Sequence, residues 1–292
     1  MASFCRFLFV ALLLVSLSGV AQPARSVKLI NSYPAFPDSL RSNGHHYDGK
    51  HYPLKEHYND STMLVVFPAN FKLKKQVDIV IWFHGWFNNI DSANNYFKLK
   101  EQFLHSNRDA VLVIPEMAKN APDSYGGKFE DSGYFNLFMN SLLSQLASQQ
   151  KRSFIPKVQS LVLAGHSGAY RVIAKIASNQ PYVKEILLFD GMYGQVPLFM
   201  KWLHKTKSPR FINLYTHEGG GTDEMSDTLR VSLKQAAIPY ADYQESELKA
   251  SKFGVPVVFI ETKRGHNEII ASPDYFELFL LRSVSLKPLN KR

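Results

Sequence analysis

From Thr62 onward, short apolar runs rich in β-branched residues alternate with segments of helical periodicity. The runs are TMLVVF, VDIVIWF, AVLVIP, VQSLVLA, VKEILLF, RFINLY and VPVVFIE. Each is almost continuously apolar, as a strand must be when both faces of its sheet are covered. Between them, segments 94–105, 135–148 and 169–178 read as helices. In the last of these, Ala169, Val172, Ile173, Ile176 and Ala177 share one helical face. Strand–helix alternation of this kind predicts the α/β class, with a mostly parallel sheet and helices on both faces. No internal repeat or low-complexity linker divides residues 61–292, which are read as one domain.

The pattern differs before residue 61. Residues 22–60 contain PAFPDS and HHYDGKHYPLKEHYND, polar and turn-rich, and predict an N-terminal extension on the domain surface. His46, His51 and His57 follow no ligand spacing, so no metal is expected there. Residues 1–21 read as a signal peptide: Arg6 precedes an apolar run from Phe7 to Leu17, and small residues at Gly19 and Ala21 mark a cleavage site after Ala21. The run is shorter than the ~20 residues of a spanning helix. A secreted or periplasmic protein without a stable membrane anchor is therefore expected. The sole cysteine, Cys5, would leave with this leader, so the mature chain is expected to hold no thiol and no disulfide.

Composition narrows the function classes. With 292 residues, 45% of them hydrophobic, the chain can bury a large core without staples. Lysine and arginine exceed acidic residues by 34 to 25, but the charge is scattered, and KLKK at 72–75 is its only evident cluster. A solvated basic surface is the reading, and no nucleic-acid partner is expected. The sequence carries no signal for the oligomeric state.

The chemistry concentrates at strand ends. VQSLVLA runs directly into Gly165-His166-Ser167-Gly168-Ala169 and then into a helix, the context of a nucleophile elbow. So sharp a turn demands small residues two before and two after the serine, and Gly165 and Ala169 satisfy it. Ala169 departs from the G-x-S-x-G pattern by one methyl group. Upstream, VDIVIWF ends in His84-Gly85-Trp86, where open α/β sheets bind ligands. Acyl transfer needs two N–H donors for the oxyanion, and the amides of Trp86 and Gly168 are the candidates. His84 reads as a structural histidine bracing that loop.

Ser167 also needs a base to take its proton. His266, in the loop after VPVVFIE and before a helix marked by Ser272 and Pro273, is the best placed. The competitors fit less well: His166 is beside the serine and is expected to point away, His204 lies within a helix, and His217 follows the penultimate strand.

GHSGA, FHGW and RGHNE, each at a strand end and in this order, make residues 62–285 resemble the α/β-hydrolase superfamily. The resemblance implies an eight-stranded sheet or a close variant, a Ser–His–acid triad, no cofactor, and hydrolysis of an ester, thioester or amide. It does not imply a substrate. For the acid, Asp190 at the end of VKEILLF competes with Glu218 and Asp223 after RFINLY. Asp190 is favoured because Gly191 gives it a tight exit from a buried strand.

The leading function is a carboxylic ester hydrolase acting on a small or polymer-borne acyl substrate. An amidase or peptidase on envelope or extracellular material would use the same triad, and a non-catalytic binding protein of this fold is the third reading. Trp86, Phe87, Tyr193, Phe199, Met200 and Trp202 are candidates for an acyl pocket or cap; for Phe199 and Trp202, core packing is an equal reading. The loop 118–133 is long for its position and is expected to border the site.

Overall fold

The computed structural model describes residues 22–218, 220–248, 253–270 and 274–289. The expected leader with Cys5, and the Ser272-Pro273 helix mark, lie outside the described residues.

All seven apolar runs form strands of one sheet. They are β4 (Thr62–Phe67), β5 (Gln76–Phe83), β6 (Ala110–Pro115), β7 (Lys157–His166), β8 (Val183–Phe189), β9 (Arg210–Tyr215) and β11 (Val257–Glu261). Two further strands were not foreseen, β1 (Arg25–Ile30) and β10 (Tyr240–Gln244). The sheet has nine strands in the order β1-β4-β6-β5-β7-β8-β9-β11-β10, one more than expected. Pairing is parallel from β6 through to β10, and β4 runs antiparallel to both β1 and β6.

Residues 22–60 are not a separate surface extension. β1 pairs with β4 along its whole length, Arg25 opposite Phe67 through Ile30 opposite Thr62. Ala35, Phe36 and Tyr58 are fully buried, so this segment supplies part of the core. Its remaining structure is a 3-10 turn at Ser39–Arg41, a hairpin of β2 (His45–Tyr47) and β3 (Lys50–Tyr52), and the short α1 (Leu54–His57). His46 and His51 stack across the hairpin, while His57 bonds the Lys119 carbonyl elsewhere.

Helices cover both faces. Buried residues of α4 (Ser132–Gln149), α5 (Tyr170–Ala177), α6 (Val196–Lys205) and α7 (Thr222–Gln235) pack with Ile79, Ile81, Leu161 and Leu163 on one side. Buried residues of α2 (Ile90–Tyr96), α3 (Leu99–His105) and α8 (Tyr275–Leu281) pack with Val80, Trp82, Val162 and Ala164 on the other. This is the period-two alternation of a strand expressed twice over. The segment 94–105 is two helices rather than one, because Lys98 adopts φ +51° between α2 and α3.

The register brings the chemistry together. Phe83 pairs with Gly165, His166 with Phe189, Phe189 with Leu214, and Leu214 with Ile260. The C-terminal ends of β5, β7, β8, β9 and β11 therefore form one continuous edge, and the loops leaving it carry every residue singled out for catalysis.

Candidate active site

Ser167 sits between β7 and α5 with φ +55°, a left-handed conformation that is uncommon for a residue with a Cβ. Close packing fixes the turn. A Cβ on Gly165 would lie 2.7 Å from the Ala169 Cβ and 2.9 Å from the Phe83 carbonyl. A Cβ on Gly85 would meet the His166 carbonyl and the Ser167 Cβ, each at 2.8 Å. Both positions thus require glycine, and the methyl of Ala169 is accommodated only because Gly165 has none.

His266, which lines the same cleft as Ser167, meets Asp190. The Asp190 Oδ2 lies 2.5 Å from His266 Nδ1, and its carboxylate also accepts from the Thr216 amide (3.1 Å) and the Thr222 hydroxyl (2.7 Å). Asp190 is 1% exposed. Burial alone would raise its pKa, but the hydrogen bonds from His266, Thr222 and Thr216 outweigh it and hold the carboxyl below its ordinary range. An ionised Asp190 makes Nδ1 the protonated nitrogen of a neutral His266 and leaves Nε2 free to accept.

The two competing acids are engaged otherwise. Glu218 Oε2 accepts from the backbone N–H of His266 at 2.8 Å, so it holds the loop rather than the ring. Asp223 pairs with His217, whose other ring nitrogen faces Glu261.

His166 does not point away. Its ring is buried, and Nε2 donates to the His266 carbonyl at 2.8 Å. Burial, with the nearby His266, pushes its pKa down to about 3, so it is neutral at ordinary pH. The His266 backbone is therefore gripped on both sides, by Glu218 at its N–H and by His166 at its carbonyl. Strand alternation was the available signal: Val162, Ala164 and His166 face the same side of β7, where Ile269 and Ile270 of the returning loop also pack.

On the opposite wall, the Trp86 indole N–H donates to Ser124 Oγ at 2.8 Å, and a Cβ on Gly168 would strike both. The Phe87 amide is taken by the Ala121 carbonyl, whereas none of the described residues accepts from the Trp86 amide. His84 is buried, with Nδ1 donating to the Gly85 carbonyl (2.9 Å) and Nε2 at 2.8 Å from Glu116, which braces this loop.

A cleft of about 780 Å³ lies over these groups, lined by Trp86, Phe87, Ser124, Ser167, Tyr193 and His266 among others. Ser124 brings the loop 118–133 to its border, as expected. Burial, first, and the Asp190 charge raise the Tyr193 phenol to about 12. Phe199 and Trp202 are fully buried in α6, and Met200 packs against the same core, so none of the three forms the pocket.

No protein-family profile matches the chain, and no curated protein matches it in sequence. Solved structures do match in shape. A ferulic acid esterase, 11% identical, superposes with a TM-score of 0.56, covering 89% of this chain and 98% of its own. Fluorophosphonate-binding serine hydrolase F of Staphylococcus aureus, 9% identical, gives 0.53 over 89% and 99%. An S-formylglutathione hydrolase of the same organism, 11% identical, gives 0.51 over 87% and 99%. Identity this low speaks to architecture alone, and with the strand order and elbow described above it gives a plain result: the chain has the α/β-hydrolase fold.

Proposed function

We propose that this protein is a serine hydrolase that cleaves carboxylic esters through an acyl-enzyme on Ser167. The observation that carries the reading is the 2.5 Å contact between Asp190 and His266 Nδ1, with His266 lining the same cleft as a serine held at φ +55°. The matching structures, a serine hydrolase, a ferulic acid esterase and an S-formylglutathione hydrolase, agree with a hydrolase.

In the proposed cycle, His266 Nε2 takes the Ser167 hydroxyl proton as Oγ bonds to the carbonyl carbon. The resulting oxyanion is received by the amides of Trp86 and Gly168. Collapse breaks the bond to the leaving alkoxide, which takes the proton from Nε2 and departs as an alcohol. Water then repeats the sequence on the acyl-enzyme, releasing the acid and restoring the serine. Asp190 holds the imidazole in the productive tautomer and stabilises its transient positive charge. No step requires a metal or cofactor.

The test is hydrolysis of activated esters by the wild type and by Ser167→Ala. The variant is expected to fold and to lose at least roughly a thousandfold in turnover. Undiminished turnover would end the reading. Residues 1–21 are proposed as a cleaved secretory leader, which N-terminal sequencing of the mature protein checks; a chain still beginning at Met1 contradicts it.

A further inference from the structure

Resting on the ester-hydrolase reading, we propose that the cleft selects uncharged esters whose acyl group carries a flat aromatic ring. Among the described residues its wall includes six aromatic side chains, Trp86, Phe87, Tyr96, Phe97, Tyr170 and Tyr193. It includes no Leu, Ile, Val or Met, and no Asp, Glu, Lys or Arg. The buried core holds many Leu, Ile and Val side chains beside its own aromatics, whereas every large apolar side chain of the cleft wall is aromatic, the rest of the wall being Asn, Ser, His and Gly.

The wall chemistry discriminates between acyl groups. A flexible alkyl chain must give up rotamer freedom when it is fixed, and it gains most in an enclosed aliphatic tunnel. A ring has few rotors, and it meets aromatic faces and edges with attraction beyond its buried area. A carboxylate or phosphate on the substrate would find no cation in this wall, although the chain carries a net charge of +9.

Two rim residues point the same way. Phe87 is 55% exposed and held at φ +55°, its amide fixed by the Ala121 carbonyl. A bulky side chain in the left-handed region is strained, and so exposed a ring recovers little of that strain by burial in the free protein. Tyr96 is 56% exposed, set edge-on to Phe97 with ring centres 5.1 Å apart. Both present exposed aromatic rings at the cleft that a substrate ring would cover.

The experiment compares methyl 3-phenylpropanoate, methyl 3-cyclohexylpropanoate and methyl octanoate, whose ester carbonyls are electronically alike, by titrating the acid released. The phenyl ester is expected to exceed the cyclohexyl ester in kcat/KM by roughly three- to tenfold. Phe87→Leu and Tyr96→Leu are each expected to shrink that ratio. A ratio of one or below in the wild type, or octanoate as the best substrate, overturns the selectivity while leaving the esterase reading intact. If no ester is cleaved, the esterase reading fails and selectivity is read from binding instead. The uncleavable ketones 4-phenylbutan-2-one and 4-cyclohexylbutan-2-one are titrated against tryptophan fluorescence of the full chain. Tighter binding of the phenyl ketone supports the aromatic site, and equal or weaker binding overturns it.

Discussion

His166 Nε2 donates to the backbone carbonyl of His266 across 2.8 Å, tying the residue before the candidate nucleophile to the loop that carries the candidate base. Through this bond the elbow and the base loop, one hundred residues apart in sequence, are positioned as one unit. His166→Phe keeps the volume and removes the donor, so the imidazole of His266 is expected to drift. A displacement near 1 Å lowers turnover on the order of a hundredfold, with KM changed only a few-fold. His166→Gln, which retains an N–H donor, is expected to restore part of kcat. The ring Nδ1 is buried without a partner among the described residues, so His166→Phe is not expected to lower the melting temperature much. Steady-state kinetics and a thermal melt check both; unchanged kcat in His166→Phe would make the contact merely structural.

Asp190 and Glu218 act on different atoms of His266, and their amide variants are expected to separate. Asp190→Asn frees the ring to take the wrong tautomer and is expected to reduce turnover on the order of 10⁴-fold. Glu218→Gln weakens only the hold on the backbone N–H, with a loss nearer tenfold. Asp223→Asn, at an exposed pair with His217, is expected to stay within a few-fold of the wild type. Collapse of Asp223→Asn with Asp190→Asn nearly intact would assign the acid to the loop after β9.

Gly85 is predicted to tolerate no side chain. The Cβ of Gly85→Ala would lie 2.8 Å from both the Ser167 Cβ and the His166 carbonyl, so the elbow must shift to admit it. Turnover is expected to fall on the order of a hundredfold. Gly254→Ala, where the added methyl meets nothing within 4 Å, is the control and is expected to be silent. Equal activity of the two variants would contradict the close packing of the β5 loop on the elbow.

Asp78 gives a pH dependence of stability with a definite sign. It lies on β5, 5% exposed, with Oδ1 unpartnered among the described residues. Burial raises its pKa to about 6, against hydrogen bonds with Ser160 and the charge of Lys287 that lower it. A folded-state pKa above the unfolded one favours the protonated form in the fold. Its contribution is complete below the unfolded value and is lost as pH rises through about 6. Asp78→Asn stays neutral throughout, so it is expected to be more stable than the wild type near neutral pH by about 3 kcal/mol. The gap is expected to close towards pH 4. Urea denaturation at the two pH values measures it, and a gap that widens on acidification would reverse the assignment.

The sequence made the buried part of the sheet legible and left its edges obscure. β4 to β9 and β11 are almost continuously apolar because neighbours and helices cover both faces. β1 alternates half-buried and exposed residues, and β10, YADYQ, has no buried residue. An edge strand has one ladder partner and less apolar surface to conceal, so its pattern merges with that of a polar loop. The same limit hid the role of residues 22–60, where Phe36 and Tyr58 are buried singly among turn residues.

At the candidate site, local motifs singled out Ser167, Gly168, Trp86 and His266 because strand ends and small residues mark them. The partners that orient them act across the fold. Nothing near His166 in sequence announces the carbonyl it meets, and nothing near Glu218 announces the amide of His266. Phe199 and Trp202 show the converse, since their apolar character fits a pocket and a core equally until packing decides.

The most direct test of the central claim is the intact mass of the protein after exposure to a fluorophosphonate, followed by peptide mapping of the adduct. A single adduct on Ser167, absent from Ser167→Ala and strongly slowed in His266→Ala, is the predicted result. An adduct that persists undiminished in Ser167→Ala, or that maps to another residue, would contradict the assignment of Ser167 as nucleophile.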